Sequence, residues 1–408
     1  CNESGREGLG KHRVFTRMRR SDLVEKVNTL ILGAGAAGLM CAAHAGSGVL
    51  VVDHAKAPGE KIRISGGGRC NFTNLGCVPE AFLSENPHFA KSALSRYTQW
   101  DFLDLVNAYK IAWHEKTLGQ LFCDGSSKQI ISMLVAELEK ACARLWCRTE
   151  IGSVSRQDGV FHVALVREGE PVRVEAQNLV LATGGKSIPK MGATGLAYRL
   201  AEQFGLSITE IRPALVPFTH DDAGLKALSG VAVPGRATAG GASFDEAILF
   251  THRGLSGPAI LQASSYWREG EDVLLNLCPD VNLSDQLAAE KRKTGRRGLS
   301  SVLGEFLPQR LAAEVVSRLD VSGNLADQSD ARLAEIADAV QAWPFRPTAT
   351  EGYRTAEVTL GGIDTDGLSS RSMEAKTVPG LFAIGEAVDV TGWLGAVSYT
   401  HLRAHETL

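Results

Sequence analysis

The stretch VNTLILGAGAAGLMCAAHAGSGVLVVD, Val27 to Asp53, decides the fold of this 408-residue chain. An apolar run leads into GAGAAG at Gly33 to Gly38, a helix of small residues follows, and a second apolar run closes the stretch. In a strand, turn, helix and strand unit of this type, Gly33 permits the tight turn and Gly35 lets the main chain approach a pyrophosphate. Gly38 lets the helix pack closely on the strand. The pattern predicts a nucleotide-binding unit.

The ends of this unit carry the predicted polar contacts. The helix begins at Ala36 and Ala37, whose unpaired N–H groups would face phosphate oxygens. Asp53 ends the second strand, where a carboxylate accepts hydrogen bonds from a ribose. A glycine-rich turn in another kind of α/β protein can have the same GAGAAG pattern, so the turn alone leaves that alternative open.

A second glycine-rich loop, ISGGGRCNFTN at Ile64 to Asn74, follows after a short linker. Consecutive glycines, Gly67 among them, suit a place where a ligand touches the main chain. Arg69 is placed to neutralise a diphosphate, and Cys70 and Asn71 come directly after it. We predict that the two loops together bind one dinucleotide.

The pair GAGAAGL and SGGGRCNFTN resembles the hallmark of the HI0933-like flavoprotein family, and the likeness extends from about Val27 to Gly395. Four further motifs support it: LATGGKSIPKMGATG from Leu181, FTHRGLSGPAIL from Phe250, EVTLGGI from Glu357 and GLFAIGEAVDVTGWLG from Gly380. The resemblance implies FAD as the cofactor. It also implies an α/β fold, in which a Rossmann-like FAD-binding domain has a parallel sheet with an antiparallel β crossover and carries an inserted α+β domain.

The resemblance also implies further cofactor contacts. Thr183 and Gly184, in the ATGG turn, would lie against the adenosine side of FAD, although a plain tight turn after a buried strand would explain ATGG equally well. Gly385 permits close approach, and Glu386 would bind the ribityl chain. Gly392 would begin the approach to the isoalloxazine ring.

The pattern along the chain predicts a discontinuous cofactor domain at residues 27–212 and 346–395, interrupted by a substrate or cap domain at residues 213–345. Three crossover strands are expected near 149–155, 160–166 and 172–176, before the parallel sheet resumes at 179–182. Residues 1–26 are expected to form a disordered or non-native leader. Residues 396–408 resemble foreign sequence, so we expect a truncated chain that lacks the last helix of the cofactor domain and holds FAD weakly.

The chain contains neither a CxxC pair nor a second strand, GxGxxG and helix unit. These absences argue against disulfide reductase chemistry and against a separate nicotinamide-binding domain. We predict an FAD-dependent oxidoreductase that transfers a hydride between flavin and a small molecule, with NAD(P)H as the electron donor. In the loop after Phe250, His252 is a candidate proton donor or substrate anchor and Arg253 a second candidate, although a loop residue that caps or packs is the commoner explanation for each.

Composition limits the partners. The formal net charge is −3, and the basic run EKRKTGRRG at Glu290 to Gly298 lacks an aromatic platform, so it is interpreted as a solvated loop. We therefore expect no nucleic-acid partner. We also expect no membrane span, no metal site and a cytoplasmic location with reduced thiols. The alternative from another class is an FAD-binding protein that acts on a macromolecule such as tRNA.

Overall fold

The computed structural model describes residues 24–395, so the predictions for the tail at 396–408 and for most of the leader lie outside the described residues. The strands are β1 (Val24–Leu32), β2 (Val49–Val52), β3 (Asn71–Asn74), β4 (Phe82–Leu83), β5 (Trp113–Glu115), β6 (Gln120–Cys123), β7 (Arg144–Trp146), β8 (Thr149–Gln157), β9 (Val160–Arg167), β10 (Glu170–Leu181), β11 (Arg212–Ala214), β12 (Phe218–Thr219), β13 (Ala232–Ala239), β14 (Ala242–Phe250), β15 (Gly254–Ser256), β16 (Val273–Asn276), β17 (Trp343–Phe345), β18 (Ala349–Thr350), β19 (Val358–Leu360), β20 (Leu381–Ala383) and β21 (Thr391–Gly392).

The helices are α1 (Ala36–His44), α2 (Glu60–Ile64), α3 (Phe89–Arg96), α4 (Gln99–Ala108), α5 (Lys128–Lys140), α6 (Leu196–Gln203), α7 (Ala223–Ala227), α8 (Pro258–Tyr266), α9 (Leu283–Thr294), α10 (Leu299–Leu303), α11 (Gln309–Arg318) and α12 (Asp330–Gln341). Between residues 24 and 395, no helix is long and apolar enough to cross a membrane. The apolar stretch from Thr29 to Val52 is divided among β1, α1 and β2, because the glycines interrupt it.

The first sheet has the strand order β7, β2, β1, β10, β9 and β8, with β20 beside the end of β10. Strands β7, β2, β1, β10 and β20 run parallel, whereas β8, β9 and β10 form an antiparallel meander. This is the predicted parallel sheet with its antiparallel crossover. Its inner strands are buried, as expected for strands covered on both faces.

Two details of this sheet differ from the sequence-based expectation. The last crossover strand and the resumed parallel strand are one continuous strand, β10, which pairs with β1 from Arg173 to Leu181. Strand β1 likewise begins at Val24 rather than Val27, since Val24 to Lys26 continue that ladder. The last three residues of the predicted leader therefore belong to the sheet.

The second sheet is antiparallel, with the order β17, β16, β13, β14, β15, β12 and β18. Helix α8 packs on β13 and β14, and α9 and α12 pack against each other beside β16. A separate hydrophobic cluster, running from Phe218 to Phe345 along the chain, fills this part of the molecule. The sheet ends at Thr350, slightly beyond the predicted insert boundary at 345.

The two sheets are joined at a narrow junction. The strands β11 and β19 pair there, and Ala214, Leu215 and Val358 form a small buried cluster. Trp393 contacts the hydrophobic clusters of both parts, and its Nε1 donates a hydrogen bond to the Tyr266 hydroxyl at 2.7 Å. The β11–β19 pair and Trp393 therefore lie where the two parts of the molecule meet.

Candidate functional site

A cavity of about 480 Å³ lies at the carboxyl ends of the parallel strands of the first sheet. Ligands of open parallel sheets bind at this edge. Its walls come from the turn at residues 33–37, the segment after β2, the second glycine-rich loop, the turn after β10, the start of β19 and Glu386. Both loops singled out from the sequence therefore open into one cavity.

The glycines of the first turn have distinct environments. A Cβ on Gly33 would collide with the carbonyl of Ala182, and a Cβ on Gly38 would collide with the carbonyl of Gly33. A Cβ on Gly35 would meet no atom of the described chain within 4 Å, because this residue faces the cavity. Gly33 and Gly38 thus serve packing, whereas Gly35 keeps space open.

Asp53 supports the turn itself. Its Oδ2 accepts a hydrogen bond from the Ala34 amide at 2.7 Å, and its Oδ1 accepts one from the Ala55 amide at 2.8 Å. Each carboxylate oxygen has a second lone pair for a ligand. The predicted ribose contact therefore stays a prediction, while the main-chain contacts are part of the structure.

Two buried polar atoms in the cavity wall lack partners. The Nδ2 of Asn71 donates to Gln120 Oε1 at 3.0 Å, but its Oδ1 has no hydrogen-bond partner among residues 24–395. The Thr183 hydroxyl is likewise buried and has no hydrogen-bond partner in the described chain. Since buried polar groups are normally satisfied, both atoms indicate a polar ligand in the cavity.

The rest of the second loop divides between the cavity and the surface. Gly67 has a φ of 65° and no described atom within 4 Å of a Cβ placed on it, and it lines the cavity with Cys70. Burial raises the pKa of the Cys70 thiol to about 11, so the sulfur is protonated at neutral pH. Arg69, in contrast, is exposed and is not part of the cavity wall formed by the described residues.

Glu386 is buried and forms a charged cluster that sequence reasoning missed. Its Oε1 accepts hydrogen bonds from the Ser187 hydroxyl at 2.6 Å and the Thr359 amide at 3.0 Å. The Nζ of Lys61 lies 2.7 Å from its Oε2 and 2.5 Å from the Ser187 hydroxyl. Lys61 and Glu386 are 325 positions apart, so their pairing has no local signal in the sequence.

Glu357 is a second residue that sequence reasoning missed. It immediately precedes β19 and lines the cavity. Protein atoms surround it on most sides, yet its side chain stays exposed because the open side faces the cavity. This desolvation raises the pKa of Glu357 to about 6.

The remaining candidate residues take supporting or distant positions. Gly385, at φ 69°, begins the turn that carries Glu386, and Gly392 lies in β21, which pairs with β4. His252 and Arg253 are exposed in the turn between β14 and β15, and the structure does not bring either into the described cavity wall. The Arg253 Nη1 lies 3.6 Å from Glu351 Oε2, so an ion pair occupies that guanidinium.

Comparisons with known proteins identify the relatives of this chain. The model of the HI0933-like protein Rossmann domain matches residues 27–401. The chain is 51% identical over 388 residues to the ribosomal RNA dihydrouridine synthase of Escherichia coli K12, covering 92% of this chain and 95% of that protein. The protein of the same name from Haemophilus influenzae is 46% identical over 377 residues, covering 91% and 94%. The 3-dehydro-bile acid delta(4,6)-reductase of Clostridium scindens is 25% identical over 397 residues, which cover 90% of this chain and 93% of that protein.

These matches confirm the predicted family, the Rossmann-like FAD-binding fold and the class of flavoprotein oxidoreductase. They contradict the expectation of no nucleic-acid partner, because the two relatives above 45% identity are named for an activity on ribosomal RNA. That expectation rested on a net charge of −3. Net charge sums the whole surface, whereas RNA phosphates respond to the local potential around the site, so the overall value was a poor guide.

Proposed function

The chain belongs to the HI0933-like family, and from that membership we propose that it is an FAD-dependent enzyme that reduces uridine in ribosomal RNA to dihydrouridine. The observation that carries this proposal is the 51% identity to the Escherichia coli ribosomal RNA dihydrouridine synthase over nearly the whole of both chains. This proposal follows the alternative given above, an FAD-binding protein that acts on a macromolecule, with ribosomal RNA rather than transfer RNA as the substrate.

The cavity fits a dinucleotide cofactor. Gly35 and Gly67 leave open space where side chains would otherwise stand, and Ala36 and Ala37, the first residues of α1, line the wall beside Gly35. The unpartnered Asn71 Oδ1 and Thr183 Oγ1 supply polar contacts of the kind a bound nucleotide requires. We assign the diphosphate to the amides of Ala36 and Ala37.

The remaining cofactor contacts follow from this placement. In this proposal Asp53 accepts hydrogen bonds from the adenosine ribose, and Thr183 and Gly184 lie along the same half of the cofactor. FAD, when bound and reduced, supplies the hydride. The cluster of Lys61, Ser187 and Glu386 reaches the cavity wall through Lys61 and Glu386, which we assign to the other half of the cofactor.

Dihydrouridine forms when the C5=C6 double bond of the uracil ring takes up two hydrogens, one as a hydride and one as a proton. The chain must therefore hold the uracil ring against the flavin, exclude water and deliver the proton. A concave cavity with the buried carboxylate of Glu386 in its wall suits that chemistry, since desolvation strengthens local electrostatic interactions.

We propose NAD(P)H as the source of the electrons. The sequence has no second dinucleotide-binding unit. In this proposal the nicotinamide therefore meets the flavin in the same cavity in which the uracil is later reduced. Reduction and substrate turnover then alternate at one face of the cofactor. Anaerobic bleaching of the flavin by NADH and by NADPH would reveal the preferred donor.

Exposed cations next to the cavity wall support an RNA substrate. Lys56, Arg69 and Lys190 are exposed, and each is adjacent or close in sequence to residues that line the cavity. Phosphate contacts of this kind position a nucleic acid without reading its sequence. We propose that Arg69 contacts phosphate at the rim of the cavity.

The proposal is tested with the purified, FAD-loaded protein. Ribosomal RNA from an Escherichia coli strain that lacks its own relative would be incubated with the protein and NADPH, and the nucleosides analysed by mass spectrometry. We expect uridine in ribosomal RNA to gain two hydrogens, and transfer RNA and free uridine to remain unchanged. Rapid flavin reduction without dihydrouridine in the ribosomal RNA would contradict the proposal.

A further inference from the structure

Glu357 is distinguished from the other ionisable residues of the cavity wall by its surroundings. Asp53 is hydrogen bonded to two amides, Glu60 lies 3.7 Å from Arg63, and Glu386 is bound by Lys61. Throughout the described part of the chain, no hydrogen bond or ion pair engages the Glu357 carboxyl group. This carboxyl group is therefore available to a ligand.

The backbone places Glu357 on the same strand segment as Thr359, which contacts Glu386, and both carboxylates line the cavity. The Glu357 amide donates to the Leu215 carbonyl at 3.2 Å, which continues the ladder between β11 and β19 by one position. The side-chain hydroxyl of Thr359, two residues further, accepts a hydrogen bond from the Ser187 amide at 3.1 Å. Residues two apart on an extended strand share a face, so Glu357 and Thr359 lie on the side that holds the charged cluster.

The junction also puts Glu357 where the two parts of the molecule meet. It is adjacent to Val358, which belongs to the small cluster joining the sheets. A substrate held between the cofactor domain and the insert would therefore pass this side chain. His252 and Arg253, which the sequence suggested for such a role, do not reach the described wall of the cavity.

We propose that Glu357 is the catalytic residue that gives a proton to C5 of the uracil ring. This inference rests on the proposed function. The hydride forms the new C6–H bond, the C5=C6 π bond breaks, and its electron pair moves to C5 in conjugation with the O4 carbonyl. The O–H bond of the Glu357 carboxyl group then breaks, its proton forms the C5–H bond, and the remaining carboxylate takes a proton from water before the next turnover. The two electrons come from the reduced flavin.

The protonation state of Glu357 agrees with this role. Its pKa of about 6, raised by burial, leaves about one carboxyl group in ten protonated at pH 7, whereas an exposed glutamate would be almost fully ionised. The nearest titratable residues before it along the chain are Glu351, Tyr353 and Arg354, and Arg212 lies on the paired strand β11. The titratable residues that line the same cavity are Asp53, His54, Glu60, Lys61, Cys70 and Glu386. Proton donation should slow as the pH rises through the pKa of Glu357.

The test separates the two half-reactions of the FAD-loaded protein. In Glu357→Gln we expect unchanged flavin content and unchanged reduction by NADPH, but reoxidation by ribosomal RNA at least about 100-fold slower, the usual contribution of a general acid. The wild-type rate of reoxidation should fall with rising pH, and the small remaining rate of Glu357→Gln should not. Glu357→Asp should recover part of the rate, and Glu150→Gln, an exposed glutamate on β8, should match the wild type.

The outcomes separate this inference from the proposed function. If the wild type makes dihydrouridine and Glu357→Gln makes it equally fast, Glu357 is not the proton donor and the proposed function stands. Loss of flavin from Glu357→Gln would also overturn the inference, because the residue would then act in cofactor binding. If the wild type makes no dihydrouridine, the proposed function itself fails.

Discussion

Replacing Gly35 with alanine isolates the contact between the first turn and the cofactor. The residue has φ −78° and ψ −169°, which any amino acid adopts, so the added methyl group creates no backbone strain. No atom of the described protein lies within 4 Å of the new Cβ. The methyl group therefore leaves the protein packing intact and enters only the cavity.

The size of the effect follows from contact distances. A carbon needs about 3.5–4.0 Å from a neighbouring heavy atom, whereas the amides of a helix N-terminus bind oxygen at about 2.9 Å. The diphosphate must withdraw and weaken at least one charge-assisted hydrogen bond, worth about 1.5–3 kcal/mol. The Kd for FAD should rise roughly 10- to 150-fold.

A matched control is available at Gly298. This residue also precedes a helix in an extended conformation, with φ −70° and ψ 143°, and a Cβ placed on it would meet no described atom within 4 Å. Gly298→Ala should have the same small effect on helix capping and leave the Kd for FAD unchanged. The assay is titration of apoprotein with FAD followed by flavin fluorescence. Equal Kd values for Gly35→Ala and wild type would refute the assignment of the diphosphate to this turn.

Three further predictions concern charge. Lys61→Met should destabilise the fold, because it leaves the Glu386 carboxylate, whose side chain is 4% exposed, without its cation. The loss should be smaller than the about 3–5 kcal/mol typical of a fully buried pair, since the Lys61 side chain is 33% exposed. In denaturant titrations, the double variant Lys61→Met/Glu386→Gln should recover part of this loss. Burial lowers the pKa of His220, whose ring nitrogens have no hydrogen-bond partner among residues 24–395. As the pH falls, His220 therefore takes up a proton in the unfolded chain before it does so in the folded protein. The free energy of unfolding should decline below about pH 6.5, and His220→Phe should lessen that decline. Arg69→Ala should keep its flavin but raise the KM for RNA, with a weaker salt dependence; loss of flavin instead would place Arg69 at the diphosphate.

The cofactor-binding unit was predictable because its signals are local. The turn at Gly33, the helix from Ala36 and the strand ending before Asp53 follow one another within one supersecondary unit, and Gly33 and Gly38 each have a steric reason in the structure. The three crossover strands were predictable from the pattern along the chain and their antiparallel arrangement from the family resemblance, although the last strand proved continuous with the parallel one. The pattern cannot show where one strand continues into another, since that depends on the partner β1.

The charged part of the site was not predictable in the same way. Lys61, Ser187 and Glu386 come from three distant segments that only the folded sheet brings together. The sequence did indicate Glu386, through the motif around it, but not its partners. Glu357 belongs to a motif that the sequence identified, yet its value as an acid depends on a cavity wall that no spacing reveals.

The most direct test of the central claim is genetic complementation with chemical readout. The wild-type chain, Gly35→Ala and Gly298→Ala would each be expressed in an Escherichia coli K12 strain whose own ribosomal RNA dihydrouridine synthase gene is deleted, and dihydrouridine in purified ribosomal RNA would be quantified by mass spectrometry. We predict that the wild type and Gly298→Ala restore the modification and that Gly35→Ala restores much less. Ribosomal RNA that stays unmodified while the wild-type protein is abundant and loaded with flavin would contradict the account.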